Sequence, residues 1–181
     1  MNLKSKLLFS LIIILIFSSC TEDKNTYIPP KTSVVDQQFN FHIAAPGVWR
    51  SSQPNQTSLE KMKMHGLKTI INLRGDEETN NWESEFSDSL GLQYFNEPLD
   101  ARDEFNTEQV QRILDIVADT ANQPVLIHCL GGKDRTGLIT GIYNTHYLGK
   151  DFDEVKKETI MFGHDAENYP EVLNTIFNWK K

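Results

Sequence analysis

The sequence predicts an α/β fold in which a mainly parallel central sheet is flanked by helices. Three observations carry this prediction. Short β-branched or apolar runs alternate with segments of helical periodicity. Lys68–Leu73 and Val125–His128 are the most strand-like of the runs. Helical segments lie between and after them, as parallel connections require.

The folded domain is read as beginning near Phe39, with its body over residues 41–181 and Val48-Trp49-Arg50 as a first short strand. Thr57, with Glu60 three residues later, has the pattern of a capping box. It opens a helix that runs to His65 and is stopped by Gly66. Lys68–Leu73 follows as a strand. Residues 80–90 are amphipathic and read as a helix, and Gln93-Tyr94-Phe95 begins a strand that ends before Pro98. Val110, Ile113, Leu114 and Val117 recur at helical spacing and define a helix over 107–120. Val125–His128 leads into a glycine-rich turn, and a helix runs from about Arg135 to Leu148. Two more helices fit 152–162 and 170–179, with Asp151 and Glu154 placed to cap the first.

Ahead of this domain, Lys4 and Lys6 precede an apolar run from Leu7 to Phe17, followed by Ser18, Ser19 and Cys20. A basic start, a greasy centre and small residues at a cut site read as a secretory signal over residues 1–19. The run is shorter than the roughly 20 residues that span a bilayer. Residues 20–40, polar and containing Pro29-Pro30, read as a tether. Removing residues 1–19 leaves 16 basic and 25 acidic residues, a net charge of −9. Such a chain does not advertise nucleic-acid binding, although it can hold an anion where positive potential is local.

The chemistry is concentrated in His128-Cys129-Leu130-Gly131-Gly132-Lys133-Asp134-Arg135-Thr136-Gly137. A buried strand ends, a short glycine-containing loop turns, and a helix begins. Such a loop aims several backbone N–H groups at one point, and the helix N-terminus adds positive potential there. A phosphate is the natural occupant. Leu130, Gly131, Gly132, Lys133 and Asp134 would cradle it. The Cys129 thiol sits in the same field and is favoured as the thiolate. Arg135 can return across the loop, its planar fork matched to two phosphate oxygens. Thr136 can donate its hydroxyl to the sulfur. A Walker loop is excluded, because Asp134 stands where Ser or Thr must follow Gly-Lys, and Ile127 where a glycine is needed.

These residues carry family resemblances. Cys-x5-Arg, extended here as His-Cys-x-x-Gly-x-x-Arg-Thr-Gly, resembles the signature of protein tyrosine and dual-specificity phosphatases. Trp49–Pro54 and Thr69–Arg74 resemble the N-terminal part of its bacterial dual-specificity-like branch. The resemblance implies the cysteine-phosphatase fold, a cysteinyl-phosphate intermediate, and neither metal nor cofactor. It also implies a general acid on the loop Pro98–Phe105, where Asp103 and Asp100 are both candidates and Asp103 is preferred. Phe17-Ser18-Ser19-Cys20 resembles a bacterial lipobox, which implies lipidation of Cys20 and a membrane anchor through it. Thr21-Glu22-Asp23-Lys24 resembles the acidic tag of surface lipoproteins of the Bacteroidetes. Together these imply an exported lipoprotein of a bacterial cell envelope, at the outer membrane on its periplasmic face or on the cell surface.

His128 is expected to hydrogen-bond backbone near the loop and tune Cys129, or to be purely structural. Lys133 is expected to add positive potential for a highly charged substrate, and Asp134 to point away toward Arg or backbone partners. Arg50, Arg74 and Arg102 could each reach the site or serve as scaffold. Trp49 and Phe105 could frame an aromatic substrate or pack the core. The expected substrate is a phosphorylated protein or a small phosphoester. Phosphotyrosine leads, with phosphoserine and phosphothreonine possible. The alternatives are inositol phosphates, phosphoinositides or other non-protein phosphoesters, and a phosphate-binding pseudophosphatase.

Overall fold

A computed structural model describes residues 39–102 and 104–180. The signal segment, Cys20, residues 21–38 of the tether and Asp103 lie outside the described residues. The expected α/β architecture is present. Five strands form one sheet in the order β1-β2-β5-β3-β4: β1 (His42–Ala45), β2 (Val48–Ser51), β3 (Thr69–Asn72), β4 (Gln93–Asn96) and β5 (Val125–His128). All neighbours are parallel except the β1–β2 hairpin. Six helices connect or follow the strands: α1 (Gln56–Met64), α2 (Glu77–Ser89), α3 (Thr107–Ala118), α4 (Asp134–Ile142), α5 (Phe152–Met161) and α6 (Pro170–Asn178).

The sheet buries both faces. One core contains Ile71, Ile113, Leu114, Ile127, Leu138 and Ile139, against α3, α4 and α6. The other contains Trp49, Leu59, Met62, Ile70 and Leu126, against α1 and α2. All four residues of β2, β3 and β5 are therefore buried, and the strands show no in–out alternation of polarity. β5 lies at the centre between β2 and β3, pairing Ser51 and Asn72 with His128. The loop that begins at Cys129 thus leaves the central strand of the sheet.

The structure refines the local readings. β1 was not anticipated; the turn that returns it to β2 contains Gly47 at φ +75°. Phe39, 1% exposed, and Asn40 pack onto the fold, in keeping with a domain that begins near Phe39. Helix α1 is capped by Asn55, whose side chain accepts from the Ser58 N–H, and not by a Thr57–Glu60 box. Helix α4 ends at Ile142 and continues as a π turn over Tyr143–Tyr147. The cap at Asp151 is present, accepting from the amides of Asp153 and Glu154.

Candidate active site

Cys129 follows β5 directly and is 3% exposed. The loop after it presents its carbonyls to donors from four different places. Leu130 O accepts from Gln53 N at 3.1 Å. Gly131 O and Gly132 O each accept from Asn40 Nδ2 at 3.1 Å. Gly132 O also accepts from Arg50 Nη2 at 2.6 Å, and Lys133 O accepts from Gly137 N at 2.8 Å. Among the described residues, the amides of residues 131–134 donate to no protein acceptor. Four consecutive peptides therefore have committed carbonyls and uncommitted N–H groups, ahead of the first turn of α4. This is the anion cradle expected of the motif.

Gly132 makes the turn possible. Its φ is +66°, and a Cβ there would stand 2.5 Å from the Ser51 carbonyl and the Ser52 nitrogen. Arg135 is oriented from behind: Nη1 donates to Leu73 O at 3.1 Å and reaches Leu99 O at 3.5 Å. A cavity of about 250 Å³ opens beside it, lined by Asp100, Arg102, Asp134, Arg135 and Tyr169 among others.

Asp134 turns away from the cradle, as expected. Its Oδ1 accepts from His164 Nδ1 at 2.7 Å and from Asp165 N at 3.0 Å. Lys133 is exposed, and its ammonium makes no hydrogen bond or ion pair among the described residues. Leu130 is 40% exposed on the loop. Thr136 Oγ1 is buried without a partner, so the expected bond to the sulfur is not made in this arrangement.

His128 differs from expectation. Instead of backbone, its Nε2 faces Glu83 Oε1 of α2 at 3.1 Å, an ion-pair distance without hydrogen-bond alignment. Glu83 is wholly buried and also accepts from Gln53 Nε2 at 3.0 Å and Tyr94 Oη at 3.3 Å. Burial and the nearby Glu83 push the Tyr94 hydroxyl well above its ordinary range, so it stays a donor. Sequence reasoning did not find Glu83. Its only local signal is an acid on the inward side of an amphipathic helix.

The three arginines divide. Arg50 is 1% exposed beneath the loop, bonded to Gly132 O and to Thr140 Oγ1 at 3.0 Å. Its guanidinium also stacks 4.6 Å from the Phe162 ring centroid. Burial pushes its pKa down to about 10, and it remains cationic at neutral pH. Arg74 is tied to Gln53 Oε1 and to Asp76. Arg102 is exposed and grips Asp100 through Nε at 3.0 Å and Nη2 at 2.6 Å. These bonds hold the Asp100 carboxyl well below the usual carboxylate range. Trp49 is fully buried and Phe105 packs on the core, so neither is a free aromatic wall. Among the described residues, His, Cys, Asp and Glu form no cluster of three suited to a metal ion.

Comparison with known proteins agrees with this geometry. The family described as "PTP-NADK: DSP-PTPase phosphatase fused to NAD+ Kinase" matches residues 30–168. The inositol diphosphatase DSP4 of Arabidopsis thaliana is 33% identical over 121 residues, covering 64% of this chain and 56% of that protein. The dual specificity protein phosphatase TpbA of Pseudomonas aeruginosa is 25% identical over 130 residues, covering 72% and 57%. The chain spans about half the length of the curated relatives it matches. The core catalytic domain of the PP-IP phosphatase SIW14 from S. cerevisiae superposes with a TM-score of 0.68 at 24% identity, covering 84% of this chain and 88% of that one. At that identity the likeness establishes the fold.

Proposed function

The chain belongs to the DSP-PTPase phosphatase family described as fused to NAD+ kinase, and from that premise we propose that it removes phosphate from a multiply phosphorylated small molecule of the inositol-phosphate class. The observation that carries the chemistry is the row of uncommitted amides 131–134 behind a buried thiol. The Cys129 thiolate attacks phosphorus in line, forming the S–P bond as the P–O bond to the leaving group breaks. Arg135 and the loop amides hold the equatorial oxygens through this step. A carboxylic acid protonates the leaving oxygen. The resulting carboxylate then takes a proton from the water that attacks phosphorus, the S–P bond breaks, and inorganic phosphate leaves with the thiolate restored. We assign the acid to Asp103. Asp100 is committed to Arg102 and held ionised, a poor state from which to give a proton.

Two observations support a polyanionic substrate. Lys133 offers an unpaired ammonium on the loop, and several relatives near one-third identity are named inositol diphosphatases. Phosphotyrosine is the second reading, favoured by the likeness to a dual specificity phosphatase, but the aromatic frame expected of Trp49 is buried. Export as a lipoprotein anchored at Cys20 remains part of the proposal, supported by the residues from Lys4 to Cys20.

The test is a phosphate-release panel of inositol phosphates, phosphotyrosine, phosphoserine and phosphothreonine peptides, and p-nitrophenyl phosphate. Inositol phosphates should give the highest kcat/KM, and Lys133→Ala should lower that value more than the value for p-nitrophenyl phosphate. Cys129→Ser should abolish all turnover while remaining folded. Preference for phosphotyrosine peptides would overturn the substrate class, and turnover by Cys129→Ser would overturn the mechanism. An unchanged rate in Asp103→Ala beside a crippled Asp100→Ala would reverse the acid assignment.

A further inference from the structure

Two side chains from the N-terminal end of the fold converge on the carbonyl side of the catalytic loop. Asn40 Nδ2 reaches Gly131 O and Gly132 O at 3.1 Å, and Phe162 O at 2.9 Å. Its Oδ1 accepts from His42 Nε2 at 3.0 Å, and the His42 ring stacks on Phe162. Arg50 Nη2 reaches Gly132 O at 2.6 Å and Lys133 O at 3.4 Å, and Nη1 reaches Thr140 Oγ1. Thr140 passes its own hydrogen to Thr136 O at 2.9 Å, in the first turn of α4.

A trans peptide is planar, and its C=O and N–H point to opposite sides. A donor that holds the Gly131 carbonyl therefore also fixes the N–H of Gly132. Holding Gly132 O fixes the N–H of Lys133, and holding Lys133 O fixes that of Asp134. We propose that Asn40 and Arg50 are positioning residues of the catalytic loop, pinning the carbonyls of Gly131, Gly132 and Lys133 outward so that the next three amides stay aimed at the bound anion. The inference rests on the loop's being a phosphate cradle, and is independent of which phosphoester fills it.

Two features make such a brace necessary. Gly131 and Gly132 carry no side chain to restrain their peptides, and a flipped peptide would turn a carbonyl dipole onto the anion. Arg50 is also a buried cation with no carboxylate at ion-pair distance among the described residues. Burial disfavours the cation, and Cys129, then Glu158 and Asp134, favour it at longer range. Lysine could supply the charge, but not a fork that spans two carbonyls and a hydroxyl while stacking on Phe162.

The test uses the full chain with Asn40→Ala, Arg50→Lys and Arg50→Met. Leu59→Ala, in the core away from the loop, controls for lost stability. Three quantities are read: kcat and KM for p-nitrophenyl phosphate, and the inhibition constant for inorganic phosphate. Asn40→Ala and Arg50→Lys should each weaken inorganic phosphate about tenfold, the loss of one or two hydrogen bonds. Arg50→Met, which removes both the fork and the charge, should weaken inorganic phosphate further than Arg50→Lys does. Leu59→Ala should lose melting temperature and keep phosphate affinity. The inference is overturned if Asn40→Ala and Arg50→Lys bind phosphate within about twofold of wild type, or if Leu59→Ala weakens it equally. Should Arg50→Met not fold, the other two variants decide. A wild-type chain that turns over no phosphoester, yet whose phosphate binding responds to Asn40 and Arg50 as stated, would sink the proposed function and leave the brace standing.

Discussion

Replacing Glu83 by alanine tests how the nucleophile strand is held. The carboxylate is wholly buried and meets three groups: Gln53 Nε2 at 3.0 Å, Tyr94 Oη at 3.3 Å, and His128 Nε2 at 3.1 Å. Two of them have fallback partners. Gln53 Nε2 also reaches Pro54 O, and Tyr94 Oη also reaches Asn80 Oδ1. His128 has none among the described residues, since its Nδ1 is unpartnered as well. The two hydrogen bonds are worth about 1.5 kcal/mol each, and leaving the buried His128 ring without its carboxylate neighbour costs about 1–3 kcal/mol. Relief of the carboxylate's own desolvation offsets part of the loss. The net cost is about 3 kcal/mol, or a Tm lowered by about 10 °C for a domain of this size. Urea unfolding should show a reduced midpoint at unchanged m. Because His128 leads directly into Cys129, kcat should fall about tenfold with little change in KM. Glu83→Gln keeps one acceptor oxygen and should lose about half as much stability. A Glu83→Ala protein within about 1 kcal/mol of wild type would refute the reasoning. So would a Glu83→Gln protein as damaged as the alanine variant.

Gly132→Ala should be far worse than its size suggests. The new Cβ meets backbone at 2.5 Å on a left-handed residue, so kcat/KM should fall more than about 100-fold, checked by steady-state kinetics beside circular dichroism. Gly141→Ala makes the same 2.5 Å approach, but to the mobile end of Ile176. Calorimetry should show a loss of only about 1–2 kcal/mol, with activity retained. Arg102→Ala removes the main cause of the depressed Asp100 carboxyl. Its titration, followed by carboxyl carbon NMR, should move upward toward the usual range.

The loop and its strand were legible because their signals are local. Val125–His128 is apolar without interruption, and the spacing from Cys129 to Arg135 survives any uncertainty in helix ends. Glu83 was not legible as a site residue, and Arg50 only as one of three arginines able to reach the site or serve as scaffold, for one shared physical reason. A charged residue in a short strand or on an amphipathic helix is assigned to solvent unless its partners are known, and here the partners lie 82 residues away at Gly132 and 45 away at His128. β2 is covered on both faces, so Trp49 and Arg50 are buried together, on opposite sides. The misplaced cap of α1 has a more local cause. Asn55, Thr57 and Ser58 are all capable caps within one turn, and composition does not rank them.

The same partners explain why a phosphate site is held by polar groups in a domain with two apolar cores. Converging amides repel one another until an anion arrives, and each buried donor left unpaired costs about 1–3 kcal/mol. Apolar packing has no directional preference and cannot oppose a peptide flip. Hydrogen bonds to the opposite ends of the same peptides can, because they act on the one torsion at issue. The donors come from Gln53, Asn40, Arg50 and Gly137, on separate stretches of chain. Any one is weak, but together they leave the loop a single conformation. The cradle is therefore preorganised at the expense of stability spread over elements that never touch the substrate. It follows that loss of Asn40 or Arg50 should weaken anion binding before it unfolds the domain, whereas loss of Glu83, which reaches the loop only through Gln53, should cost stability first.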